Sequence, residues 1–201
     1  MDNKAMYKIG YGLYILTARE GEKDNGCVIN TLMQVTTTPN RVSITVNKQN
    51  YTHDMIKRTG VFNASCLTTD AGFEIFRHFG FQSGRSAEKF VPGGSMPRSE
   101  NGLIYIPQFT AAYISGKVCG ETDLGTHTMF IADVTGAAVL SDGEPLTYAY
   151  YHKHIKPAPQ PAKKKGFRCR ICGYIYEGDE LPPDFVCPIC KHGAADFEKI
   201  E

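Results

Sequence analysis

The chain has 201 residues and a formal net charge of +1, with 42% hydrophobic and 21% charged residues. That length accommodates one full domain plus a small module, the composition excludes wholesale disorder, and the near-neutral balance argues against a nucleic-acid binder. Seven cysteines, four of them in the last 33 residues, do not form the even framework of a secreted disulfide scaffold. No run approaches 18 apolar residues, so no membrane helix is expected, and residues 1–12 show no apolar signal core. The expectation is a cytoplasmic protein with reduced thiols.

In chain order, residues rich in β-branched and aromatic side chains predict strands over 7–17, 27–36, 41–47, 61–67, 103–106, 112–118 and 128–140, separated by Gly, Pro, Asn and Asp. Two helices interrupt them: 52–58, with Thr52 as its N-cap, and 71–79, capped by Asp70. Strands without βαβ alternation favour a mainly β barrel over a doubly wound sheet, and neither GxGxxG nor a Walker loop is present. Residues 1–155 are net neutral. Residues 156–166, Lys-Pro-Ala-Pro-Gln-Pro-Ala-Lys-Lys-Lys-Gly, carry +4 and read as an extended linker. Residues 167–201 carry −3. The expected division is thus 1–155, 156–166 and 167–201.

The turn Asn47-Lys48-Gln49-Asn50-Tyr51-Thr52 offers a lysine, hydroxyls and a helix start, which together suit a phosphate, although Thr52 serves equally well as a structural cap. Cys27, Cys66 and Cys119 fall in apolar strand patterns and read as core. Cys169, Cys172, Cys187 and Cys190 form a C-x2-C-x14-C-x2-C pattern. Two intervening residues let one tight turn aim both sulfurs at one ion, and two such turns complete a tetrahedral S4 site, which suits zinc and iron alike.

The residues around those cysteines carry a resemblance. The CxxCGY knuckle, the PPDFVCPIC stretch and the aromatics Phe167, Tyr174, Tyr176, Phe185 and Phe197 resemble rubredoxin from Phe167 to Ile200. That resemblance implies one iron held by four cysteines, cycling between ferric and ferrous inside a dry aromatic shell. The loop between the pairs is shorter than in free-standing rubredoxins. Lys191 stands where that family usually has a glycine relaxing a left-handed turn.

Residues 24–59, the Phe79–Arg85 stretch with Lys89-Phe90, and Leu124–Val134 are together similar to the flavin reductase family, in its flavoredoxin-type branch. The resemblance covers about residues 5–155 and implies an FMN-binding split β-barrel, usually a homodimer with flavin near the dimer interface. Carried over by position, Asn30 and Thr31 line the flavin and ribityl chain, and the Val28 backbone faces the isoalloxazine. Asn47, Lys48, Tyr51 and Thr52 lie on the phosphate side, and Ser83 and Arg85 lie near the flavin or the nucleotide phosphates. His127 matches the histidine of a Gly-Asp-His motif beside flavin and nicotinamide. Thr126 replaces its Asp, so a role that needs a carboxylate there does not carry over.

The fusion resembles the high-molecular-weight rubredoxins of anaerobic bacteria. It implies an oxidoreductase in which NADH or NADPH reduces FMN, FMN passes single electrons to Fe(Cys)4, and a flavo-diiron nitric oxide or oxygen reductase accepts them. Two alternatives compete with this reading. One is a flavin or ferric reductase that releases reduced flavin. The other is a non-catalytic split barrel whose zinc ribbon binds a partner.

Overall fold

The computed structural model describes residues 2–157 and 166–200. Most of the expected linker, residues 158–165, therefore lies outside the described residues. A 3-10 turn (Asn3–Lys8) precedes β1 (Tyr14–Glu20), β2 (Lys23–Ile29), β3 (Met33–Thr37) and β4 (Asn40–Asn47). Helix α1 (Tyr51–Thr59), β5 (Val61–Leu67), α2 (Phe73–Gly80), β6 (Thr110–Asp123) and β7 (His127–Val139) follow. A short α3 (Tyr148–Tyr150) widens into a π-turn (Tyr151–Ile155), and the C-terminal module contributes β8 (Gly166–Cys169), β9 (Ile175–Tyr176) and β10 (Phe197–Ile200).

The first seven strands form one antiparallel sheet in the order β2-β1-β5-β6-β7-β4-β3. One buried cluster draws on both ends of that order: Leu16 and Cys27 from β1 and β2, Ile44 and Val46 from β4, and Phe130 from β7. A sheet whose two ends share a core must be rolled, and because β2 and β3 are not paired the barrel stays split. Helix α1 fills the opening with Met55 and Ile56, both fully buried. A second cluster seats α2 through Phe76 and Phe79 against Leu13, Leu67 and Tyr151, whose ring lies 4.5 Å from that of Phe76.

Several expectations are corrected. Residues 7–13 are not strand, and the 27–36 run breaks at Asn30–Leu32 into β2 and β3. Residues 103–106 form only an isolated bridge, Arg98 to Ile104. Helix α1 is capped by Asn50, which places Thr52 inside its first turn, and α2 begins after Gly72 rather than Asp70. Cys27 is buried as expected, but Cys66 is half-buried and Cys119 exposed.

In the C-terminal module, the sheet order β10-β8-β9 backs two cysteine turns. The Gly173 amide donates to the Cys169 carbonyl at 2.8 Å, and the Lys191 amide to the Cys187 carbonyl at 3.0 Å. Phe185 centres the aromatic cluster, 4.7 Å from Tyr176 and 5.3 Å from Phe197, with Tyr174 stacked at 6.5 Å.

Candidate functional site

The start of α1, the end of β2 and the turn after α2 converge on a cavity of about 280 Å³. The barrel side presents Val28, Asn47, Tyr51, Thr52 and Ser83. The opposite wall is the C-terminal module, through Ile171, Cys172, Pro188, Ile189, Cys190 and Lys191. Lys156 fastens the two walls: its ammonium donates to the Ile171 carbonyl at 2.5 Å.

Local chemistry explains the shape of the barrel wall. Asn50 makes no side-chain cap bond, and the His53 amide closes on the Asn50 carbonyl at 3.0 Å, which leaves the Tyr51 and Thr52 amides at the start of α1 for a ligand. The Asn47 side chain accepts from the Gln49 amide at 2.9 Å and holds the turn into the helix. Thr52 is fully buried, and its hydroxyl accepts from the Asn25 amide group at 2.9 Å. A Cβ at Gly84 would lie 2.1 Å from Asn25 Oδ1, so only glycine lets the loop after α2 close over that pair. Lys89, also buried, donates to the carbonyls of Gly26 at 2.8 Å and Phe79 at 2.9 Å, and burial lowers its pKa. Among the described residues no carboxylate lines the cavity; Lys89, Lys156 and Lys191 do, alongside the Cys172 and Cys190 sulfurs.

Five of the sequence-derived residues, Val28, Asn47, Tyr51, Thr52 and Ser83, meet in this cavity. Lys48 instead pairs with Asp123 at 2.7 Å. The Thr31 hydroxyl is spent on Thr45, donating to its carbonyl at 2.6 Å and accepting from its amide at 3.1 Å. Asn30, half-buried in the break after β2, does not line the cavity either. Arg85 lies behind the wall, paired with Asp54 at 2.5 Å and 5.1 Å from the Tyr51 ring. His127 is the cross-strand partner of Asn47 and so sits beside the rim. Its pKa is lowered by burial and then by repulsion from His192 and His53. Asn25 was not singled out in the sequence, because an asparagine inside a strand carries no spacing signal. Tyr148 and Tyr151 also line the cavity.

The four C-terminal sulfurs lie within 4.8 Å of one another, with Cys169–Cys190 and Cys172–Cys187 each at 3.5 Å. Metal–sulfur bonds of about 2.3 Å in a tetrahedron place sulfurs roughly 3.8 Å apart, so the set fits one ion. Amides of Tyr174, Ile189, Cys190 and His192 point at the sulfurs, the arrangement that stabilises thiolate charge. Cys169 and Cys187 are buried, while the second cysteine of each turn, Cys172 and Cys190, is half-buried and faces the cavity. A reducible ion there would be reached from the cavity through those two sulfurs.

Comparison with known proteins agrees with this construction. The flavin reductase like domain model matches residues 6–159, and the rubrerythrin, rubredoxin-like domain model matches residues 167–198. The chain is 39% identical to a high molecular weight rubredoxin of Moorella thermoacetica over the whole of both chains. It is 40% identical to a ferric-chelate reductase (NAD(P)H) of Archaeoglobus fulgidus, across 76% of this chain and 89% of that one. Among solved structures, flavoredoxin from Methanosarcina acetivorans superposes with a TM-score of 0.58 at 20% identity, covering 68% of this chain and 74% of the other.

Proposed function

Because the chain belongs to the flavin reductase-like family and carries a rubredoxin-like domain behind its barrel, we propose that it is an oxidoreductase that moves electrons from NADH or NADPH through FMN to a four-cysteine iron centre. The observation that carries this reading is the shared cavity. One wall is the α1 end of the barrel, and the other exposes Cys172 and Cys190. FMN, when bound, supplies the conversion of a two-electron hydride donor into single electrons.

The chain's own residues do the rest. Asn47 and the Tyr51 and Thr52 backbone amides at the start of α1, with their side chains, hold the phosphate side, and Val28 and Ser83 border the ring side. Lys89 fixes β2 to the end of α2, so that wall keeps its shape without the cofactor. His127, next to Asn47 on the rim, orients the nicotinamide rather than transferring a proton, because the reaction requires no acid or base at that position. Phe185 and its aromatic neighbours keep water from the sulfurs, and the aimed amides set the potential. The proposed final acceptor is a flavo-diiron protein, and the proposed assembly is a homodimer through the barrel.

The test is an anaerobic titration of the purified protein with NADH, followed in the visible. Overlapping flavin and ferric-thiolate bands should both bleach. A colourless, zinc-loaded protein contradicts the reading. The 40% identity to a ferric-chelate reductase supports a second reading, in which the barrel reduces chelated ferric iron directly. That reading gains if the flavin bleaches while the thiolate band stays oxidised and added ferric chelate is consumed.

A further inference from the structure

The two cysteine turns of the C-terminal module are built alike but end differently. Gly173 follows Cys172 with φ +80°, and Lys191 follows Cys190 with φ +63°. Each amide closes its turn on the carbonyl of the first cysteine of its pair. Both positions therefore demand the left-handed conformation, which glycine adopts freely and lysine adopts at a cost. A strained non-glycine residue points to a task for its side chain.

Lys191 lines the shared cavity, and Gly173 does not. Among the three lysines of that cavity, Lys89 is tied to two backbone carbonyls and Lys156 to Ile171. Lys191 is exposed, and its ammonium has no hydrogen-bond or ion-pair partner among the described residues. Among the described residues no carboxylate lines the cavity, so no ion pair holds the ammonium to its own wall.

We propose that Lys191 is a phosphate ligand supplied by the metal-binding module, reaching across the cavity to the phosphate of the cofactor that the barrel holds. This rests on the flavin reading above. It adds that a bound phosphate ties the two modules together, so that cofactor occupancy and module docking reinforce each other.

The test is equilibrium binding to the flavin-stripped full chain, comparing FMN with riboflavin, which lacks the phosphate, and with NADH. Lys191→Gly should weaken FMN about tenfold, the loss of one charge-assisted bond, and leave riboflavin unchanged. Lys191→Arg should retain most of the affinity. Because glycine relieves the left-handed turn, Lys191→Gly should also raise the melting temperature of the metal-loaded protein, which separates lost contact from damaged fold. A loss for NADH in place of FMN assigns the phosphate to the nucleotide and still supports the proposal. Unchanged FMN and NADH affinities, or equal losses for FMN and riboflavin, overturn it. If the wild type binds no flavin, the flavin reading fails, and the NADH arm alone decides the role of Lys191.

Discussion

The ammonium of Lys89 lies 2.8 Å from the carbonyl oxygen of Gly26, buried beneath the cavity floor and shared with the last turn of α2 through Phe79. A buried lysine held only by backbone carbonyls acts as a brace between a strand and a helix end, where the helix dipole also favours a cation. Lys89→Met keeps the volume and removes the donors, leaving two carbonyls short of a partner. The expected cost is about 2–4 kcal/mol, read as a lower urea midpoint at unchanged slope. A variant as stable as the parent would show that the brace contributes nothing.

Arg85 reaches the site through other residues. It pairs with Asp54, which also bonds His53, and it lies over the Tyr51 ring. Burial raises the Asp54 pKa, but hydrogen bonds from His53 and Arg85 outweigh it and hold the carboxyl below its ordinary value. Arg85→Ala should cost less than about 1 kcal/mol, as an exposed pair does, yet release Tyr51 and weaken flavin binding roughly threefold. Isothermal titration would show it. A loss a hundredfold or greater would mean direct contact with the ligand.

Alkaline sensitivity is expected from Cys66. Burial pushes its thiol from 9.0 up to about 11, so the folded state holds a proton that the unfolded chain gives up first. The stability associated with this group is complete below pH 9 and is lost as pH rises toward 11. Tyr151, pushed up to about 12 chiefly by burial, extends the loss to higher pH. Urea midpoints at pH about 8 and about 10.5 should differ less in Cys66→Ala than in the parent.

Removing one metal ligand should divide the functions. Cys190→Ser opens the four-sulfur set without touching the barrel, so NADH should still bleach the flavin band while the ferric-thiolate band is absent and reduction of the acceptor protein stops. Loss of flavin reduction at saturating flavin as well would contradict this division of roles between the two modules.

His127→Gln should leave flavin affinity within about twofold and slow reduction by NADH about tenfold, if its place beside Asn47 orients the nicotinamide. Stopped-flow at saturating flavin separates the two effects.

What could be read in advance was what local pattern determines. The β-branched run Val61–Leu67 became β5 residue for residue, and the cysteine spacing alone delivered the tetrahedral set. Residues 103–106 have the same strand-like composition but are satisfied differently: Asn63 Nδ2 donates to the Leu103 carbonyl, and the Thr17 hydroxyl donates to that of Ile104. Side chains from distant strands do there what a ladder would do, and no local pattern records it. Cys119 is exposed because the β6 register shifts between Val118 and Gly120, and with Lys117 and Glu121 close by only its strand context suggests burial. The pairing of Cys172 and Cys190 with the barrel cavity lay beyond sequence because it depends on how two separately patterned modules meet.

That shared wall also has a kinetic meaning. On the proposed reading, a metal centre bonded to the rim of the flavin cavity through Lys156 would meet its donor at an effective concentration of about millimolar or more, whatever the protein concentration outside. Dilution should leave the internal electron step untouched and slow only delivery to the external partner. Turnover measured at falling enzyme and acceptor concentrations would then report a bimolecular encounter, with the chemistry inside the chain already complete.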